Sequence, residues 1–198
     1  HGLRLPMIAR HWRLPATVAE SLDLAKALVP LTIGASPEVV IFPPFTALES
    51  VAAAIDGRHV GYGAQNLHWE AQGAFTGEIS GPMLADIGCQ YVLVGHSERR
   101  HIFGETDEMI AKKVRAALQS DLVPVLCVGE TLEEREAGET DAVLMRQVDS
   151  ALAGLAAHEL ATLVIAYEPV WAIGTGKTAS VADAAAASAL IRSLVAKM

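Results

Sequence analysis

Short apolar runs alternate with longer segments in which apolar residues recur every three or four positions, and this alternation continues along the whole chain. Such a pattern predicts strands that are each followed by a helix, so that the strands lie parallel in a sheet. The sequence therefore indicates the α/β class. We count six βα units, with strands predicted at residues 3–11, 39–42, 59–64, 91–95, 122–128 and 163–167.

Side-chain spacing predicts how the later helices begin. Thr131 and Glu134 have the spacing of a capping box, which predicts one helix from Thr131 that continues past Leu144. Ser180 and Asp183 predict a similar start for the last helix. Residues 129–130 are interpreted as a turn at the rim of the sheet.

Composition limits the classes of function that the chain can have. With 198 residues, of which 52% are hydrophobic and 19% charged, we predict one globular domain over residues 1–198. The net charge of −8 provides no basic surface, so we expect neither nucleic acid nor an anionic membrane as a partner. No apolar run approaches the length of a membrane span, and the start lacks the apolar core of a signal peptide. We therefore predict a cytoplasmic protein.

The cysteines and histidines show no spacing that is typical of metal ligands. Cys89 and Cys127 lie in or beside apolar runs, which indicates buried, reduced thiols rather than a disulfide. The seven histidines are not paired with carboxylates at ligand spacing. We therefore expect no metal site.

The sixth predicted unit carries the stretch that is most informative about function. Its apolar strand is predicted to be buried on both faces, and Glu168 follows where that strand stops. Pro169 ends the strand, and an unusually apolar segment then runs to Gly174 and Gly176. An apolar segment with permissive ends suits a lid that excludes water, and glycine N–H groups can closely approach an anion.

The fourth predicted unit repeats this design. His96 follows a buried strand, and Ser97 is predicted to cap the next helix. The imidazole would then lie near the positive end of the helix dipole, which favours the neutral ring. Because functional loops of parallel βα units lie at the C-terminal ends of the strands, we expect His96 and Glu168 to face one small substrate.

These two stretches resemble the triosephosphate isomerase family. Residues 94–100 (VGHSERR) and 166–176 (AYEPVWAIGTG) match the electrophile motif and the base-and-lid motif of that family almost letter for letter, and in the same order. The resemblance implies a (β/α)8 fold of the TIM-barrel type. It also implies interconversion of dihydroxyacetone phosphate and D-glyceraldehyde 3-phosphate, a step of glycolysis and gluconeogenesis, without metal or organic cofactor.

The resemblance further implies roles for the matching residues. Glu168 would be the base that removes a proton next to a carbonyl group, and His96 would polarise that carbonyl, a pairing for which triosephosphate isomerase is itself the standard example. Glu98 would orient polar groups behind the site. Gly174 would donate its N–H to the substrate phosphate once the lid has closed.

The end of the first strand departs from the family pattern. The family ordinarily has Gly-Asn-Trp-Lys there, whereas this chain has Arg10-His11-Trp12-Arg13. His11 and Arg13 thus occupy the positions of two substrate-binding residues, and a planar guanidinium is bulkier than an ammonium group. We predict that Arg13 binds the phosphate but positions it poorly, so that turnover is depressed.

The loop at residues 65–78 is long and carries aromatic residues, and long ordered loops are usually functional. It resembles the loop through which the family contacts a second subunit, which implies a homodimer. The alternative is that the loop packs on its own barrel.

The chain matches only the first six of the family's eight units. Six units would leave unpaired edges beside the first and sixth strands, and would lack the phosphate-binding loops that follow the last two strands. Either the polypeptide extends beyond residue 198, or it is a remnant that needs a partner or has lost activity. The competing function is therefore a catalytically impaired isomerase-like fragment, or a scaffold that binds a phosphosugar.

Overall fold

The computed structural model describes residues 7–11, 17–32, 38–55, 59–172 and 179–198. Contacts divide the chain into two compact units. The first comprises His1–Leu93 and Ala116–Pro124, and the second comprises Val94–Arg115 and Val125–Met198. The single domain over residues 1–198 stays a prediction.

Strands and helices alternate through the first unit in the predicted order. They are β1 (Met7–His11), α1 (Val18–Leu31), β2 (Glu38–Phe42), α2 (Phe45–Ile55), β3 (Val60–Ala64), α3 (Gly81–Asp86) and β4 (Tyr91–Val94). β1 pairs with β2, β2 with β3 and β3 with β4, and every pair is parallel. Val123, which begins the fifth strand, donates its N–H to the carbonyl of Gln90 at 2.8 Å.

The core of the first unit follows from apolar periodicity and from one glycine. α2 buries a stripe of residues three and four positions apart, as expected for a helix that packs one face on a sheet: Ala47, Leu48, Val51, Ala52 and Ile55. Gly63 lies where β3 approaches β4, and a Cβ there would overlap the carbonyl of Tyr91 and stand 2.8 Å from the ring of Phe42. Close packing of these strands therefore requires glycine at position 63.

The alternation continues after β4. The elements are α4 (Ser97–His101), α5 (Asp107–Gln119), β5 (Val123–Val128), α6 (Leu132–Glu136), α7 (Thr140–Leu152), α8 (Ala157–Leu160), β6 (Val164–Tyr167), a 3-10 turn (Val170–Ala172) and α9 (Val181–Ala196). They belong to the second unit except for residues 116–124, the end of α5 and the start of β5, which belong to the first. β5 and β6 pair in parallel, from Val125 opposite Val164 to Val128 opposite Tyr167. All six predicted strands are thus confirmed within a few residues, and residues 3–6 of the first predicted strand lie outside the described residues.

The helix predicted to begin at Thr131 and to continue past Leu144 is in fact two helices. The capping box at Thr131 is present, because its hydroxyl and the carboxylate of Glu134 each accept the other residue's N–H. Gly138 then adopts φ +73, and the N–H groups of Gly138 and Glu139 return to carbonyls of α6. A left-handed glycine with these two bonds ends a helix, so α7 starts anew at Thr140.

β6 is less buried than predicted. We expected a strand buried on both faces, but all four residues from Val164 to Tyr167 are only half-buried. Within the described part of the second unit β6 pairs with β5 along one edge only. The side chains of a strand point to the two faces of its sheet, so a neighbour along one edge aligns the backbone without covering them fully.

Both cysteines are free and buried, as predicted. Burial raises the pKa of each thiol to about 12, because a thiolate is poorly solvated there. Among the described residues, no group of three His, Cys, Asp or Glu side chains is placed to hold a metal ion. No helix in those residues combines the length and the apolar character needed to cross a membrane.

Candidate active site

His96 lies in the sharp turn between β4 and α4. The turn is possible because Gly95 adopts φ +73, a left-handed conformation that glycine tolerates best. We predicted Ser97 as the cap of the following helix, and this was wrong. His96 is the N-cap, since its Nδ1 atom accepts the N–H of Glu98 at 3.2 Å, and Ser97 is the first helical residue.

This hydrogen bond determines the tautomer of His96. A nitrogen that accepts an N–H carries no proton, so the ring is neutral and its proton is on Nε2. Nε2 lies 3.9 Å from Oε2 of Glu168. The structure thus brings together the two residues that the sequence singled out, with an imidazole donor facing a carboxylate. The carboxylate of Glu98 stands farther behind, 4.0 Å from Nδ1.

The backbone of Glu168 is held by the end of β5. The Glu168 N–H donates to the carbonyl of Val128 at 2.9 Å, and the Val170 N–H donates to the carbonyl of Glu130 at 2.9 Å. Between these two bonds, a Cβ on Gly129 would overlap the carbonyl oxygen of Glu168 and stand 2.7 Å from its carbon. Only glycine at position 129 lets the two segments approach so closely.

Gln147 holds Gly129 from the other side. Its side chain comes from α7 and is almost fully buried. Oε1 accepts the Gly129 N–H at 2.8 Å, and Nε2 donates to the Gly129 carbonyl at 3.4 Å. A buried amide that bonds both the N–H and the carbonyl of one residue fixes the two peptide groups on either side of its Cα.

Glu130 is a buried carboxylate, whereas the sequence predicts only a turn at the rim of the sheet for residues 129–130. It is fully buried, and both of its carboxylate oxygens accept hydrogen bonds from the hydroxyl of Tyr167. Burial and this carboxylate together raise the pKa of Tyr167. Its position in the sequence could have indicated a residue of the site, because Glu130 follows β5 closely, as Glu168 follows β6.

The first residues of the predicted lid rest on Arg135. Its guanidinium carbon lies 5.0 Å from the ring centroid of Trp171, in the 3-10 turn. Nη2 of Arg135 also donates to Oδ1 of Asp183 at 2.7 Å, and this bond lowers the pKa of Asp183. The capping box predicted at Ser180 is present and includes the same aspartate. Arg135 therefore joins the turn after Glu168 to the start of α9.

Three other predicted site residues are only partly covered or not covered at all. His11 is the last residue of β1, where the structure describes its backbone. Arg13 and Gly174 lie outside the described residues.

A cavity of about 10 Å³ lies beside Glu168, lined by Gly95, Ser97, Arg100, Cys127, Val128, Gly129 and Glu168. It has room for little more than one water molecule, so it is a packing gap behind the carboxylate rather than a pocket for a sugar phosphate.

Comparison with known proteins agrees with this geometry. A family model described as triosephosphate isomerase matches residues 6–198. The triosephosphate isomerase of Moorella thermoacetica is 53% identical over 196 residues, which cover 99% of this chain and 79% of that protein. The triosephosphate isomerase of Symbiobacterium thermophilum is 53% identical over 196 residues, which cover 98% of this chain and 77% of that protein. That of Chloroflexus aurantiacus is 49% identical over 197 residues, which cover 99% of this chain and 79% of that protein. This chain belongs to the triosephosphate isomerase family.

Membership of the triosephosphate isomerase family confirms the predicted fold class, α/β of the TIM-barrel type, and the resemblance that the two motifs indicated. In TIM barrels the active site lies at the C-terminal ends of the strands. His96 and Glu168 follow the C-terminal ends of β4 and β6.

We predict that Gly129→Ala lowers isomerase kcat by about 100-fold, because the added methyl group must displace the Glu168 backbone by roughly 1 Å. The measurement is steady-state turnover of the purified variant, with its fold checked by circular dichroism.

Gly61→Ala is the matched control for this change. Gly61 lies in β3, and a Cβ there would meet the Tyr91 ring at 3.1 Å, a contact that a small side-chain shift relieves. Its kcat should stay near that of the wild type. A folded Gly129→Ala variant with normal kcat would show that the close approach does not position Glu168.

Proposed function

We propose that this chain catalyses the interconversion of dihydroxyacetone phosphate and D-glyceraldehyde 3-phosphate. The observation that carries the proposal is the distance of 3.9 Å between His96 Nε2 and Glu168 Oε2, in a chain about half identical to triosephosphate isomerases. Two groups at this separation are too far apart for a good hydrogen bond to each other. They are close enough to reach one carbon and its neighbouring oxygen.

Glu168 acts as the general base in the proposed reaction. One carboxylate oxygen, at about 3–3.5 Å from the reacting carbon, takes the proton next to the carbonyl group and later returns it to the adjacent carbon. The carbon–hydrogen electron pair becomes the second bond between the two carbons, and the carbonyl π pair moves onto its oxygen, which gives an enediolate. The hydroxyl proton on the first carbon then passes to the former carbonyl oxygen, relayed by His96 Nε2, which donates to one oxygen and accepts from the other. Glu168 holds the carbon proton between the two steps and returns it to the second carbon as the new carbonyl forms, so atoms and charge balance.

His96 stabilises the charge that develops on oxygen. Its Nε2–H donates to the carbonyl oxygen as the enediolate forms, while the Glu98 N–H keeps Nδ1 occupied and the ring in the correct tautomer. A fixed donor of this kind needs no reorganisation when the charge appears. Proton transfer between a carboxylate and a carbon, assisted by a neutral donor, requires no metal or organic cofactor, and we propose none.

The remaining predicted residues complete the proposed site. His11 and Arg13 bind the substrate, Gly174 donates its N–H to the phosphate, and Glu98 supports His96. The competing function, an impaired fragment or a phosphosugar-binding scaffold, is not favoured, because relatives 49–53% identical over nearly the whole chain are named triosephosphate isomerases.

Replacement of the base tests the proposal. We expect Glu168→Gln to lower kcat at least about 1,000-fold, because the amide keeps the shape of the side chain but cannot accept the proton. The measurement is a coupled isomerase assay in both directions. Glu133→Gln, the same change on an exposed face of α6, is the control and should retain full activity. Equal, near-background rates for the wild type and Glu168→Gln would contradict the proposed activity.

A second prediction concerns the altered first strand. We expect Arg13→Lys to raise kcat/KM several-fold, because a compact ammonium group should approach the phosphate more closely than a guanidinium does. Steady-state kinetics with the two triose phosphates measure the change. An unchanged kcat/KM would show that Arg13 does not limit turnover.

We propose that the chain forms a homodimer through the loop at residues 65–78. Its Phe75 side chain is 42% exposed, while the ring of His68 packs against those of Trp69 and Phe75 with centroids 4.3 and 4.5 Å apart. An exposed aromatic residue on an ordered loop is typical of a contact surface. In sedimentation experiments Phe75→Asp should shift the protein to monomer, whereas Leu24→Asp on α1 should not. A wild-type monomer at micromolar concentration would contradict the proposal.

We also propose a cytoplasmic location, where the substrate of a glycolytic and gluconeogenic isomerase is produced and consumed. Cell fractionation that recovers the protein elsewhere would contradict it.

A further inference from the structure

Arg100 makes an unusual set of hydrogen bonds for a residue that does not face the substrate site. Its side chain is 8% exposed. Nε donates to the carbonyl of Gly95 at 2.6 Å, Nη2 donates to the carbonyl of Cys127 at 3.0 Å, and Nη1 donates to Oδ1 of Asp107 at 3.0 Å. One guanidinium thus joins two backbone carbonyls that are 32 positions apart in the sequence (127 minus 95).

The two carbonyls belong to the segments that carry the proposed catalytic pair. Gly95 immediately precedes His96. Cys127 immediately precedes Val128, whose carbonyl accepts the Glu168 N–H at 2.9 Å. A short path of peptide and hydrogen bonds therefore runs from the imidazole, through Arg100, to the carboxylate.

On the premise of the isomerase function proposed above, we infer that Arg100 is a positioning residue that sets the distance between His96 and Glu168. Its hydrogen bonds go to two backbone carbonyls and to Asp107, not to the side chain of His96 or Glu168. It acts by holding the backbone before His96 and the backbone that anchors Glu168 at a fixed separation.

The cost of burying the Arg100 guanidinium supports a positioning role for this side chain. Burying a guanidinium is unfavourable unless its donors are satisfied, and burial lowers the pKa of Arg100 while Asp107 opposes that shift. Buried ion pairs can often be replaced by apolar residues without loss of stability. What an apolar residue cannot supply is a rigid fork of donors that reaches two separate carbonyls at once.

Asp107 holds the guanidinium group of Arg100 in place. Oδ1 accepts from Arg100, and Oδ2 accepts from Nε of Arg146 at 3.2 Å. The carboxylate is thus oriented by two arginines, of which the buried Arg100 bonds the carbonyls of Gly95 and Cys127. Lysine at position 100 would keep the positive charge, but its single nitrogen cannot span both carbonyls in the geometry of the fork.

The test compares Arg100→Lys with Arg99→Lys. Arg99 is the neighbouring residue of α4. Its Nε donates to Glu105 Oε2 at 2.8 Å rather than to the carbonyl of Gly95 or Cys127. We expect Arg100→Lys to lower kcat by about 10- to 100-fold, with KM changed less than about threefold, because a displacement of the pair affects the transition state more than substrate binding. Arg99→Lys should keep kcat within about twofold of the wild type.

A second readout separates positioning from general stability. Isothermal titration calorimetry should show that Arg100→Lys weakens binding of 2-phosphoglycolate by about tenfold, because its carboxylate has the charge and planarity of an enediolate. Binding of inorganic phosphate should be unchanged. A purely structural role for Arg100 would weaken both ligands equally or neither.

The outcomes distinguish this proposal from the function on which it rests. An inactive wild-type chain would overturn the isomerase function and this proposal with it. An active wild type in which Arg100→Lys and Arg99→Lys have the same kcat would overturn only the positioning role. Should Arg100→Lys fail to fold, Asp107→Asn replaces it, since that change loosens the guanidinium without touching either carbonyl. We then expect kcat about three- to tenfold lower, and an unchanged kcat would overturn the proposal.

Discussion

The hydrogen bond from the Glu98 N–H to His96 Nδ1 is the interaction on which the chemistry of the site depends. It makes the histidine its own helix cap and leaves the remaining ring proton on Nε2, facing Glu168. A protonated ring could not accept this bond. The start of a five-residue helix thus determines which atom can polarise a carbonyl, and it does so through the backbone rather than through a neighbouring charged side chain.

Buried polar side chains around the site contact the backbone more than they contact one another. Gln147 holds the N–H and the carbonyl of Gly129, and Arg100 holds the carbonyls of Gly95 and Cys127. Each costs desolvation energy that an apolar core residue would not cost. What they provide in return is a defined orientation of the backbone at and just after the ends of β4 and β5, which apolar packing alone defines poorly.

The sequence predicted well what depends on local periodicity, and less well what depends on distant contacts. All six strands followed from apolar runs, and the capping box at Thr131 from the spacing of two side chains. The sequence predicts Ser97 as the cap of α4, because hydroxyl side chains are favoured over imidazoles at that position. Propensity does not show that the side chain of His96 is the one that reaches the N–H of Glu98. Glu130 was missed for a related reason, since its burial depends on Tyr167, 37 positions away.

The two members of the proposed catalytic pair differ in their exposure, and the proposed mechanism gives that difference a meaning. The side chain of His96 is 9% exposed, whereas that of Glu168 is 54% exposed. A hydrogen-bond donor must be fixed before charge develops, because reorientation during the reaction would add to the barrier. A carboxylate base, in contrast, is stable in water while the site is empty and needs water removed only when substrate is present. His96 as the rigid, buried proposed electrophile and Glu168 as the accessible proposed base satisfy both requirements in one site.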